Sequence, residues 1–203
     1  MILYIMRHGE TEWNTKHWLQ GRTDIPINEN GKKVAELTRD GLKDVVFDAA
    51  FTSPLLRAKE TAQIVLEGRD IELIEEQRII EMCFGDYEGT SMVDKHEDME
   101  IYFNRPKEYV VKNGVEPYED VFARINSFLD ELTSNPRYKD SNIFVATHGG
   151  MLRGFLYLLK DIDLNEYWGN GLHKNGAVTI VEIKDGKRKI LQEGIILYDE
   201  SRI

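Results

Sequence analysis

The chain has 203 residues and 41% apolar composition, enough for one well-buried core and short for two full domains. No apolar run approaches the roughly 20 residues that span a bilayer, and the apolar start at residues 2–6 is too short for a signal segment and runs straight into charge, so a soluble, cytoplasmic protein with no membrane partner is expected. A formal charge of −10 disfavours nucleic acid and anionic lipid, which need a basic face; the single cysteine, Cys83, excludes an intrachain disulfide and a Cys-rich zinc site and fits a reducing compartment.

Residues 2–6 form an apolar run that ends in Arg7-His8-Gly9, and residues 143–147 form a second that ends in His148-Gly149-Gly150. As buried parallel strands, the two runs put both imidazoles where strands feed helix N-termini, the crevice in which open α/β sheets bind ligands. Imidazole, arginine and exposed backbone N–H groups at one such edge make a receptor for an anion, phosphate first among them. The negative net charge does not oppose this, because a few arginines concentrated in one pocket suffice.

Asn28 is positioned to cap a helix over residues 29–43, with Val34, Leu37 and Leu42 inward. Residues 49–52 read as a second strand. Ser53-Pro54 then reads as N-cap and N1 of a helix that repeats Leu55, Ala58, Ala62 and Val65 on one face, with Arg57 in its first turn. Residues 71–74 are a third strand candidate and lead through Arg78 to Glu81. Residues 90–116, charged and aromatic, read as a short helix plus loop covering the site. From Pro117 an amphipathic helix buries Val121, Ile125, Phe128, Leu129 and Leu132, and Asn135-Pro136 closes it. A helix over residues 151–159 follows the second His-Gly pair, and Asp185-Gly186 turns a hairpin between residues 178–183 and 189–192. Alternating strands and helices predict a single three-layer α/β/α domain over residues 1–203 with a mostly parallel sheet.

The segments RHGETEWN, LQGRTD, SPLLRAKETA, the Glu81 segment and ATHGG, in this order, resemble the histidine phosphatase superfamily, the phosphoglycerate mutase-like fold, on its phosphatase branch with α-ribazole and broad-specificity phosphatases. The resemblance runs from residue 2 to about 160. It implies that His8 is a nucleophile that becomes phosphorylated, that Arg7 and Arg57 bind the phosphate, that His148 is a further donor to the transferring group, and that Glu81 is the acid/base. It implies substrate-binding positions at Asn14, Gln20 and Gly21, with Gly149 beside them, and neither metal nor cofactor. The partner it implies is a small phosphorylated metabolite, hydrolysed as a monoester. Such chemistry needs a neutral imidazole with one nitrogen held as N–H, and a carboxyl kept able to hold a proton by burial or nearby negative charge.

Three other readings compete: a phosphoglycerate mutase that returns the phosphoryl group to substrate, a zinc hydrolase with His8, His148 and Glu81 as ligands, and a silent binding domain. Two arginines beside the histidines disfavour a metal, and a scaffold needs none of the five core residues. Glu88 competes with Glu81 for the acid/base role, and only the resemblance separates them. The sequence departs from the family's pattern at Asn28, Val34, Val115 and Pro117. His17, His96 and His173 read as surface residues, Cys83 as buried filler, and Trp13, Trp18 and Trp168 as packing, with Trp18 and Tyr87 candidates for a pocket mouth.

Overall fold

Strand β1 (Ile2–Arg7) sends Leu3 and Ile5 to one face of the sheet and Tyr4 and Met6 to the other, so both faces need a cover of helices. β2 (Ala49–Thr52) and β4 (Asn142–Thr147) alternate the same way: Phe51, Ile143 and Val145 face one core, Ala50, Phe144 and Ala146 the other. In the computed structural model, which describes residues 1–92 and 96–202, α5 (Tyr118–Ser134) and α6 (Gly149–Lys160) pack on the first face. α2 (Glu29–Gly41) and α3 (Leu56–Val65) pack on the second, giving the three layers. No helix among the described residues is long and apolar enough to cross a membrane.

The six-stranded sheet runs β3-β2-β4-β1-β5-β6, with β3 (Leu73–Glu75), β5 (Val178–Lys184) and β6 (Lys187–Ile195) completing it. The first four strands of that order are mutually parallel, and β5 and β6 are antiparallel, as the sequence predicts for a mostly parallel sheet. Asp185 and Gly186, both at positive φ (51° and 71°), make the tight turn that joins β5 to β6. The cover segment holds α4 (Glu97–Asn104) and a 3₁₀ turn at Pro106–Glu108; the short α1 (Glu12–Thr15) follows the first His-Gly pair. Residues 93–95 of the expected cover lie outside the described residues.

β3 and β6 cover residues 73–75 and 187–195 instead of the expected 71–74 and 189–192, and β5 runs one residue further than expected. Three further boundaries differ for physical reasons. Ser53 does not cap α3: its hydroxyl lies 2.7 Å from His148 Nε2, and Leu56 N–H is satisfied from another loop by Asp24 Oδ1 at 2.7 Å. Helix α6 begins two residues early, at Gly149, because His148 is its extended N-cap. Helix α2 stops at Gly41, with Leu42, 2% exposed, as its C-cap.

Candidate active site

Parallel register brings the two histidines together. β1 and β4 pair residue for residue from Ile2 with Asn142 to Arg7 with Thr147, so the next residues in each strand are His8 and His148. The His8 N–H donates to the Thr147 carbonyl at 2.9 Å, and the ring centroids lie 5.2 Å apart. Both side chains are buried.

Their hydrogen bonds assign opposite tautomers. His8 Nδ1 lies 2.6 Å from the Gly9 carbonyl, which can only accept, so Nδ1 carries the proton and Nε2 keeps its lone pair. Arg57 Nε, a donor only, lies 3.2 Å from His148 Nδ1; the neutral His148 ring therefore carries its proton on Nε2 and donates to Ser53 Oγ. Burial first, then the charges of Arg57 and Arg7, holds the His8 pKa well below the ordinary histidine range. Burial and Arg57 do the same to His148.

Arg57 is fully buried in the first turn of α3, and protein acceptors hold it on three sides: His148 through Nε, the Thr23 carbonyl through Nη1 at 2.9 Å and the Gly21 carbonyl through Nη2 at 2.6 Å. Arg7 is held differently. Its Nη1 donates to the His173 carbonyl, while its Nε is buried with no hydrogen-bond partner. An orphaned guanidinium N–H costs about 1–3 kcal/mol or more, which an anion would offset. Burial pushes each arginine's pKa down to about 10, with Glu81 acting in the opposite direction.

Glu81 is 7% exposed and sits against the N-terminus of α6. Its Oε1 accepts from Met82 N–H at 2.9 Å and Met151 N–H at 3.0 Å, and its Oε2 from Gly150 N–H at 3.1 Å. The bare Cα of Gly150 permits this approach: a Cβ there would lie 2.9 Å from Glu81 Oε1 and 2.8 Å from Met82 Sδ. Glu88, its competitor in the sequence, is used otherwise. It accepts from the N–H groups of Arg22, Thr23 and Phe84 and so pins the turn in which Gly21 adopts a φ of +50°.

Arg7, His8, Arg57 and Glu81 line one cavity of about 80 Å³, together with Asn14, Gln20 and Gly21. Gln20 Oε1 is also buried without a partner. Two expected residues do not line the cavity. His148 bonds Arg57 and Ser53, and Gly149 clears the path of Arg7, whose Nε would lie 3.3 Å from a Cβ there; Gly150 lines the cavity instead. Trp18 lines the cavity, whereas the buried Tyr87 bonds Asp98 and Asn113 and does not line it. Cys83 is half-buried.

Several contributors were not apparent from the sequence. Asn175 donates to the His8 carbonyl at 3.0 Å, and Thr61 Oγ1 accepts from Gly9 N–H at 2.8 Å. Half-buried His173, read as a surface residue, supplies the carbonyl that anchors Arg7. Arg124 and Arg22 converge on Glu116, in the stretch where the chain departs from the family's pattern. A polar residue beside a glycine, as in Asn175-Gly176, was the only local signal.

A family model described as histidine phosphatase superfamily (branch 1) matches residues 3–195. Phosphoserine phosphatase 1 of Hydrogenobacter thermophilus is 29% identical over 200 residues, 97% of this chain and 93% of that one. A 2,3-bisphosphoglycerate-dependent phosphoglycerate mutase of Parvibaculum lavamentivorans is 29% identical over 203 residues, 96% of each. The solved structure of Bacillus stearothermophilus YhfR superposes with a TM-score of 0.88 at 30% identity, covering 95% of this chain and 96% of that chain.

Proposed function

The chain belongs to the histidine phosphatase superfamily, branch 1, and from that premise we propose that it is a metal-independent phosphomonoesterase of small phosphorylated metabolites, working through a phosphohistidine on His8. The observation that carries the reading is His8 itself. It is neutral, with Nε2 holding a lone pair, and it shares a cavity with two buried guanidinium groups, one of which has an unpaired Nε.

In the first half-reaction the lone pair of His8 Nε2 forms the N–P bond, the P–O ester bond breaks, and the departing alkoxide takes a proton from the Glu81 carboxyl. In the second, Glu81 takes a proton from water as its oxygen attacks phosphorus. The N–P bond then breaks, the pair returns to Nε2, inorganic phosphate leaves, and Glu81 is protonated for the next cycle. Arg7 and Arg57 face the equatorial phosphoryl oxygens and stabilise the charge spread over them, the dominant contribution in phosphoryl transfer. His148 acts behind them by fixing Arg57. Asn14, Gln20 and Gly21 border the phosphate, and Met92 and Phe103 of the cover segment line the site beside them.

Brief exposure to phosphorus-labelled substrate, followed by a denaturing quench, tests this. The wild type should retain acid-labile, base-stable label while His8→Ala retains none and loses turnover by about 10³-fold or more. Glu81→Gln should slow alkyl esters far more than nitrophenyl phosphate, whose leaving group needs little protonation. Equal labelling of His8→Ala would remove His8 from the mechanism.

A further inference from the structure

The phosphate-binding groups occupy only the floor of the cavity. Its walls are apolar: Trp18, Phe84, Met92, Phe103, Trp168 and Leu172. Part of these walls is tied to the rest of the fold. Trp168 Nε1–H donates to Tyr118 Oη at 2.8 Å, the Phe103 and Trp168 rings meet edge to face at 4.8 Å, and Met92 N–H donates to the His17 carbonyl at 2.8 Å. Met92 and Leu172, 51% and 40% exposed, form the rim. Across it, sharing Met92, Phe103, Trp168 and Leu172, the cavity opens into a cleft of about 980 Å³.

No described residue of these walls is a cation. Among the described residues that line the cavity, only Arg7 and Arg57 are basic, and both serve the phosphoryl group. Arg22 donates to Glu116 and to the Glu81 carbonyl. Lys16 lies over the Trp18 ring and does not line the cavity. In the wider cleft Arg153 donates to the Tyr167 and Glu166 carbonyls, and Lys160 pairs with Glu193 at 2.6 Å. In the cover, Arg105, Lys107 and Lys112 pair with Glu108, Asp163 and Asp98.

Resting on the phosphomonoesterase reading, we infer that the substrate is the phosphate ester of a bulky, uncharged alcohol with an aromatic or apolar body, and that Trp18, Phe103, Trp168 and Leu172 select it. A carboxylate or second phosphate on the leaving group would be stripped of water against these walls, whose described side chains offer no counter-charge. An aromatic body would instead bury its faces there, and the wide cleft leaves room for more of it. The chain thus differs in substrate class from what the names of its phosphoserine phosphatase and phosphoglycerate mutase relatives state.

Three primary alkyl monoesters with similar leaving-group chemistry test this on the full chain: 2-phenylethyl phosphate, O-phosphoserine and 3-phosphoglycerate. Phosphate release should favour 2-phenylethyl phosphate in kcat/KM by about 30-fold or more, the worth of burying one aromatic ring. Leu172→Arg, at a half-exposed rim position that tolerates charge, should narrow the ratio to phosphoserine about tenfold, and Trp168→Ala should narrow it mainly through KM for the aromatic ester. Equal or better use of phosphoserine or 3-phosphoglycerate by the wild type would overturn the inference and leave the phosphatase reading standing. So would an unchanged ratio in Leu172→Arg. Release from none of the esters would overturn the phosphatase reading itself.

Discussion

His8 and His148 are the same residue type in nearly the same depth of burial, and hydrogen bonding gives them opposite proton positions. The Gly9 carbonyl fixes the proton of His8 on Nδ1; Arg57 forces that of His148 onto Nε2. Two-bond proton–nitrogen spectra at pH 6 should therefore show one ring with a bare Nε2 and one with a bare Nδ1, both neutral. The same burial links protonation to folding. Unfolding returns each ring to an ordinary pKa near 6.5, so below about that pH the unfolded chain binds more protons than the folded one. These rings contribute stability that is fully present above pH 6.5 and is lost as the pH falls toward their lowered folded values, at about 1.4 kcal/mol per unit of depression. The urea midpoint should drop between pH 7 and 5, and the drop should be smaller in His8→Asn. A midpoint that rises on acidification would show that the rings are charged in the fold.

At the scale of elements, the site is a junction between the edge of a sheet and the first turn of α6. Gly150 lies there where alanine would ordinarily favour a helix by up to about 1 kcal/mol. Its missing Cβ is the clearance that lets Glu81 reach the helix N-terminus, so the usual sign reverses. Gly150→Ala should lose about 1–3 kcal/mol in urea unfolding, as overpacked sites do, and about 10- to 100-fold in kcat/KM. A gain in stability would show that the clearance is not needed. This junction also marks the limit of what the sequence discloses. The strands at residues 49–52 and 143–147 and the helix with Val121, Ile125 and Phe128 were legible, because periodicity and apolar runs are local. The joint position of Arg7, His8, Arg57 and Glu81 was legible through family motifs. Ser53 misled because a serine before a proline looks like a cap, while its partner, His148, lies 95 residues away. Asp24 capping α3, Asn175 under His8 and the His173 carbonyl on Arg7 depend on how distant loops meet, and no local pattern encodes that.

For the whole molecule the open choice is between water and a second substrate oxygen as the acceptor of the phosphoryl group, since relatives with phosphatase and with mutase names both match nearly the full chain. A mutase must exclude water from phosphohistidine and retain a bisphosphorylated intermediate while it reorients, which requires a closing cover and positive charge for two phosphate groups. This chain carries a formal charge of −10, and the described cations around the cavity other than Arg7 and Arg57 are engaged with carboxylates, backbone carbonyls or, for Lys16, an aromatic ring. The cavity also opens past the exposed Met92 and Leu172 into the wide cleft, so water has a short path to His8. Water should therefore win. With 3-phosphoglycerate, inorganic phosphate should exceed 2-phosphoglycerate by at least about tenfold even when 2,3-bisphosphoglycerate is supplied as primer, a 1.4 kcal/mol preference between acceptors. Time courses of both products in one reaction decide it. Primed isomerisation faster than phosphate release would mean that the intermediate is sheltered and held, and would replace the phosphatase assignment with the mutase one.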